Sequence, residues 1–231
     1  MPKITIAIDG YSSTGKSTVA RQLADYLNYI YVDTGAMYRA ITLYAINNSI
    51  IINNTIDKDA LIKALPNIQV SFEYDNKKNT SQVLLNSKPV DDQIRTLEVS
   101  DQVSPVAAIP QVRKKLVTIQ HAMGKEGGIV MDGRDIGTVV FPNAQLKIFM
   151  DADANVRATR RYNELLGRGD VISFDEVLEN ILERDHIDTT RKDSPLIKAA
   201  DAIVIDNTET NLEDQFYTIL QLAKDRIAGR V

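Results

Sequence analysis

Residues 4–18, ITIAIDGYSSTGKST, pass from a short apolar, β-branched run into a glycine-bounded loop and then, from Lys16, into apolar residues at helical spacing, Val19, Ala20, Leu23 and Leu27. The order reads strand, loop, helix. Gly10 to Ser17 fits G-x-x-x-x-G-K-[ST] in the strand-to-helix context that this motif requires. In such a loop, successive backbone N–H groups and the partial positive charge of the helix N-terminus face a polyphosphate; Lys16 reaches the β- and γ-oxygens and Ser17 ligates Mg²⁺. The nucleotide-contact candidates are therefore Gly10, Tyr11, Ser12, Ser13, Thr14, Gly15, Lys16, Ser17 and Thr18. Only the two glycines are demanded by the pattern. A left-handed backbone at Ser13 would cost about 1–2 kcal/mol, recoverable from phosphate contacts.

Outward from this loop, a second strand, Tyr29 to Val32, ends at Asp33-Thr34-Gly35, and a helix follows with Met37, Ala40, Ile41 and Tyr44 on one face. A βαβα beginning implies a parallel α/β sheet. Ile129 to Met131, Leu146 to Met150 and Ala202 to Ile205 read as further strands, continuous and apolar as strands covered on both faces should be. Helices are expected at about 153–167, 174–187 and 211–227. Two stretches break the alternation. Residues 68–90 read as two or three short antiparallel strands around a solvated hairpin, with Lys77-Lys78 at its wet tip, and RATRRYNELLGRGD, 157–170, reads as a basic helix ending in a mobile flap.

Composition narrows the classes. A chain of 231 residues with 44% apolar content can bury a real core. It has no apolar run long enough for a membrane span and no leader pattern, and the absence of cysteine excludes disulfides and thiolate chemistry, so the expected location is cytoplasmic. A net charge of -4 repels nucleic acid, and no aromatic-basic stripe argues for it. Anionic ligands must be held by local clusters.

Three such clusters stand out. DTGAMYR, 33–39, follows the second strand at the carboxyl edge where open α/β sheets place ligands, with Arg39 within reach of a second phosphate, although an ordinary helix start capped by Thr34 would look the same. MDGRDIGTVVFP, 131–142, ends a strand in Asp132, placed to orient Mg²⁺ or its waters, and a Gly133 turn then presents Arg134, whose planar fork suits a transferring phosphate, and Asp135. Six of the thirteen arginines then fall between 157 and 191, with Arg157, Arg160 and Arg161 on one helical face and Arg184 and Asp188 four apart on another. A solvated helix face, with any of Arg157, Arg160 and Arg161 paired with Glu164, and a surface Arg184–Asp188 salt bridge are the plainer alternatives. The loop alone fits a switch, a motor, a pump or a kinase; no N-K-x-D guanine motif is present.

Taken together, the P-loop, DTGAMYRA, EVSDQVSPVAAIPQVR, DGRDIGTVVFP before KIFMDA, RATRR, and RDHIDTTR before SPLIKAADAIVIDNT resemble the bacterial cytidylate kinases over essentially the whole chain. The resemblance implies a P-loop nucleoside monophosphate kinase fold: an α/β core with a parallel five-stranded sheet at 1–39, 101–156 and 171–231, an NMP-binding insert at 40–100 containing the small antiparallel β unit, and a short lid at 157–170. It implies transfer of the γ-phosphoryl of ATP, with Mg²⁺ held by Ser17 and Asp132, to CMP or dCMP, in a monomer that takes no nucleic acid or membrane partner. By the same resemblance Thr34, Arg39, Arg134, Arg184 and Asp188 hold the acceptor's phosphate or ribose, Ser104, Arg113, Asp135 and Arg191 surround its base, and Lys16, Arg134, Arg157 and Arg161 supply the catalytic cations. Cytosine fits that set, because its N4 amino group donates to a carboxylate such as Asp135, toward which uracil would turn an acceptor. The family's loop often reads Gly-Pro-Ser-Gly-Ala-Gly-Lys and often has Ser at the place of Thr34; both departures here keep the backbone or hydroxyl function.

Overall fold

The computed structural model describes residues 3–75 and 80–230. In chain order the elements are β1 (Thr5–Gly10), α1 (Lys16–Leu27), β2 (Ile30–Asp33), α2 (Thr34–Asn47), β3 (Ile51–Ile52), β4 (Thr55–Ile56), α3 (Lys58–Ala64), β5 (Val70–Asp75), β6 (Thr80–Leu85), β7 (Lys88–Pro89) and α4 (Leu97–Ala107). They continue with α5 (Pro110–Met123), β8 (Ile129–Gly133), β9 (Leu146–Asp151), α6 (Ala154–Gly167), α7 (Phe174–Thr190), β10 (Ile203–Asp206) and α8 (Leu212–Ile227). They form two compact units, residues 1–32 with 123–231, and residues 33–122. The expected insert, 40–100, falls wholly inside the second.

The first unit is built on a parallel five-stranded sheet in the order β10-β9-β1-β8-β2. β1 lies at its centre, parallel to both β8 and β9, with Ile8 opposite Asp132 on one side and Ile148 on the other. Ile4, Ile6 and Ile8, which the period-two pleat turns to one face, pack with Val130, Leu146, Ile148 and Met150 against Val19, Leu23 and Ala24 of α1 and Ile219, Leu220 and Ala223 of α8. This buried layer holds the carboxyl ends of β1 and β8 side by side, which is where the loops of interest leave. The outer strand β10 corrects the expectation of strands covered on both faces: it alternates, with Ile203 and Ile205 packed against the core and Val204, on the opposite face, about half exposed, so only one of its faces is covered.

α6 and α7 are each started by their own residues. Asp153 accepts from Asn155 N and Val156 N, and Ser173 and Glu176 form a reciprocal capping box. The sequence expected as a lid, 157–170, is here the body of α6 and a turn at Arg168–Gly169, where Gly169 takes a left-handed φ of +87°.

The second unit carries the antiparallel sheet read from 68–90, in the order β5-β6-β7, with Phe72 opposite Val83; the Lys77-Lys78 tip lies outside the described residues. α2 is buried on most of its circumference, from Ala36 and Met37 to Leu43 and Ala45, and is not limited to the single face expected. Its cap is Asp33, which accepts from Ala36 N at 2.9 Å, and Thr34 is the first helical residue, correcting the alternative in which Thr34 caps.

Candidate active site

The loop after β1 is secured through its carbonyls. Thr14 Oγ1 and Lys16 Nζ donate to Tyr11 O at 3.0 and 2.7 Å, Arg157 Nη1 donates to Ser12 O at 3.3 Å, and Asn207 Nδ2 donates to Thr14 O at 2.5 Å. With those oxygens engaged by side chains, the loop's N–H groups are the part that a ligand can use. Gly10 is needed for two reasons, its φ of +150° and the approach of β9: a Cβ there would overlap the Met150 carbonyl oxygen. Gly15 stands at the N-cap of α1 with φ +84° and no side-chain cap, whereas α2, α3, α4, α6, α7 and α8 each take a side-chain oxygen at that position.

Ser13 takes a left-handed φ of +61°, as the spacing allowed. A serine held there is strained by about 1–2 kcal/mol, against about 0.5–1 kcal/mol of extra chain entropy for glycine. Ser13→Gly is expected to raise thermal stability slightly, by at most about 1 kcal/mol; a lower melting temperature would show that the Ser13 hydroxyl stabilises the loop more than the backbone strains it.

Beside the loop, Asp132 at the end of β8 accepts from Ser17 Oγ at 2.8 Å and from Tyr31 Oη at 2.9 Å, while the Arg21 guanidinium lies over the Tyr31 ring. A hydroxyl and a carboxylate in contact fit a magnesium ion that takes most of its ligands from phosphates and water. The donor set is oxygen only, and among the described residues no cluster of three carboxylates, histidines or thiols offers a dedicated protein cage.

Past Gly133, the turn 136–140 is anchored from β1. The Asp9 carboxylate accepts from Ile136 N at 2.8 Å and Gly137 N at 2.7 Å, and a Cβ on Gly137 would crowd Lys147. Burial pushes the Asp9 carboxyl up to about 7, against the pull of those two N–H groups. This clamp fixes where Arg134 and Asp135 leave the sheet. Arg134 Nε donates to Asp188 Oδ2 at 2.8 Å, Arg191 Nη1 donates to Asp188 Oδ1 at 3.3 Å, and Arg191 approaches Asp135 to 3.9 Å. Arg184 and Asp188 are buried, so the exposed-pair alternative does not hold. Burial would raise the Asp188 carboxyl, but Arg134, Arg191 and Arg184 bring it below its ordinary value. Arg184 has the opposite balance: burial, then the neighbouring Arg134, lower it to about 10, and its Nε is buried with no hydrogen-bond partner among the described residues.

The sign of the Asp188 shift sets a pH dependence. A carboxyl whose folded pKa is depressed contributes stability that is complete above the unfolded value of about 3.9 and is lost as pH falls through the folded value. Thermal melts between pH 6 and 3 should show a steep loss at the acid end that is shallower in Asp188→Asn; equal slopes would separate the ion-pair cluster from acid unfolding.

The arginines of α6 and its C-terminal turn divide. Arg157 is buried, donates from Nε to Ala152 O and from Nη1 to Asp185 at 2.7 Å, and lies over the Tyr11 ring. Arg160 donates to the Asn207 side chain and carbonyl. Arg161, its side chain only 14% exposed, pairs with Glu164 at 2.9 Å, and Arg168 meets the same carboxylate.

In the second unit, Thr34 and Arg39 lie on α2, Ser104 on α4 and Arg113 on α5. Arg39 Nη1 donates to Ser100 Oγ at 3.0 Å. Arg113, 2% exposed, donates to Ala107 O at 3.3 Å and stacks over Tyr38. Ser104 is buried one helical turn beyond Ser100.

The family model described as Cytidylate kinase matches residues 6–225. The chain belongs to the cytidylate kinase family. A cytidylate kinase of Flavobacterium psychrophilum is 57% identical over 225 residues, 97% of this chain and all of that one, and one of Bacteroides fragilis is 53% identical over 93% of this chain and 94% of that one. A solved structure of an uncharacterized protein from Eubacterium ventriosum matches at TM-score 0.50 and 11% identity over 97% of this chain and 99% of that one, a likeness of fold. As a cytidylate kinase family member the chain is a nucleoside monophosphate kinase, a phosphotransferase.

Several residues of this cytidylate kinase family site carry no local signal in the sequence. Asp9 signals only its place before Gly10; its partners are 127 and 128 residues away. Asn207 reaches Thr14 across 193 residues, Ser100 reaches Arg39 across 61, and Asp185 receives Arg157 across 28. Tyr31 alone had a cue, its position in β2.

Proposed function

We propose that this chain transfers the γ-phosphoryl of ATP to the 5′-phosphate of CMP or dCMP, giving CDP or dCDP and ADP, as a cytoplasmic monomer. One observation carries the acceptor half of this reading: in the same unit as the P-loop, a buried guanidinium, Arg184, has an Nε without a hydrogen-bond partner among the described residues, near Arg134 and close to Asp188, on which Arg134 and Arg191 also act. A phosphate dianion is the group such a set lacks.

The donor's phosphates take the loop N–H groups and Lys16. Ser17 and Asp132 would hold Mg²⁺, which supplies charge neutralisation between the β- and γ-oxygens. Thr34, Arg39, Arg134, Arg184 and Asp188 are assigned to the acceptor's phosphate and ribose, and Ser104, Arg113, Asp135 and Arg191 to its base. In this reading 40–100 is the binding insert and 157–170 the lid. No general base is required, because the acceptor phosphate is already a competent nucleophile; positioning and cationic stabilisation from Lys16, Arg134, Arg157 and Arg161 carry the transfer.

The test is ADP production in a coupled assay with ATP and Mg²⁺ against CMP, dCMP, UMP, AMP, GMP and no acceptor. A strong preference for CMP and dCMP is expected. Equal rates with every acceptor, or with none, would leave nucleotide binding standing and overturn the acceptor.

A further inference from the structure

Asn207 follows the last strand of the sheet, in a stretch to which no phosphate chemistry was assigned. It is completely buried, and each of its polar groups is engaged. Its N–H donates to Asp151 O at 2.9 Å, which ties it to the end of β9. Nδ2 donates to Thr14 O at 2.5 Å and to Gln215 Oε1 at 3.1 Å. Oδ1 and the backbone carbonyl accept from the two terminal nitrogens of Arg160, at 3.0 and 2.8 Å. A Cβ on Gly15 would stand 3.9 Å from Nδ2, so the amide lies directly beneath the loop where it becomes α1.

We infer that Asn207 is a positioning residue for the donor's phosphates: it fixes the Thr14–Gly15 peptide, and Arg160 acts on the donor through Asn207. The argument is one of geometry. Rotating the peptide that joins Thr14 to Gly15 moves a carbonyl and an N–H together, because the peptide is planar. Fixing the carbonyl from below therefore fixes the direction of the Gly15 N–H on the phosphate side. Arg160 grips Asn207 at two points, which holds the amide in the one orientation that donates to Thr14. Two of the three arginines spaced three and four apart on α6 thus reach the loop, Arg157 directly at Ser12 O and Arg160 through Asn207.

The inference rests on the proposed kinase reaction and is tested so that the two can fail separately. ATP binding by calorimetry, without acceptor, is measured together with KM for ATP, KM for CMP and kcat, in wild type, Asn207→Ala, Asn207→Asp, Arg160→Ala and the Asn207→Ala/Arg160→Ala pair. Asn207→Asp keeps the size and the acceptor for Arg160 but turns an oxygen toward Thr14 O, so it carries the test if the alanine variant does not fold.

Expected are an increase of about tenfold or more in the ATP Kd and KM for either Asn207 variant, KM for CMP within about twofold, and a double variant no weaker for ATP than Asn207→Ala alone. Unchanged ATP affinity in a folded Asn207 variant would overturn the positioning role. A double variant weaker by the product of the single effects would overturn the route through Asn207 and place Arg160 on the donor directly. A wild type that binds ATP without phosphorylating CMP would instead overturn the reaction and leave this inference to the calorimetry.

Discussion

Lys16→Met should lower kcat by roughly 10²–10³-fold, the loss typical of removing one charged stabiliser from a transition state, while the melting temperature moves by only a few degrees. In the folded protein the ammonium makes a hydrogen bond to Tyr11 O, worth about 1 kcal/mol. Lys16 is 6% exposed and methionine fills a similar volume, so the packing of the loop survives. Every catalytic use of Lys16, by contrast, depends on its charge. A coupled ADP assay with saturating CMP and a melting curve on the same preparation make the comparison, and an unchanged kcat would remove Lys16 from the reaction.

Arg134→Ala is expected to cost turnover on a similar scale, roughly 10²-fold or more, and also stability. The sequence alone argues that turnover falls far more than stability, since Arg134 reads there as a residue presented at a turn. The structure changes that expectation: Asp188, 5% exposed at its side chain, receives Arg134 Nε at 2.8 Å and keeps the longer contact to Arg191 and the nearby charge of Arg184 when Arg134 is cut away. Stranding a buried carboxylate costs about 3–5 kcal/mol, with the remaining Arg191 pulling toward the low end. Adding Asp188→Asn removes the stranded charge. The double variant should therefore recover much of the melting temperature and none of the turnover. Joint recovery would mean that Arg134 serves the fold alone; recovery of neither would mean that Asp188 is not what Arg134 neutralises.

What could be read in advance follows the range of the interactions. The β1-loop-α1 segment is legible because its whole logic, apolar run, glycines, lysine and helical spacing, lies within about two dozen consecutive residues. The central strands are legible for the same reason. β3 and β4 are two residues each and carry no period at all. α4 is hidden by Pro105, which reads as a breaker yet sits inside the helix. In the site, Asp132 and Arg134 are visible because a strand end and a glycine turn announce them. The clamp by Asp9 and the brace by Asn207 are invisible, since each is a side chain meeting a backbone group that only the folded sheet brings near. The arginine-rich helix shows the middle case: spacing puts Arg157, Arg160 and Arg161 together, and only packing shows that they face Asp185, Asn207 and Glu164 respectively.

The uncapped start of α1 reaches beyond catalysis. A side-chain cap of the kind that serves the other helices stabilises a helix by about 1 kcal/mol, and at Gly15 there is none. A donor that binds the folded chain at this helix start, and not the unfolded one, brings its own concentration into the folding equilibrium. Protease resistance of this chain should accordingly rise and fall with the nucleotide level around it: a cell depleted of ATP would slow phosphoryl transfer and, by the same linkage, shorten the protein's lifetime.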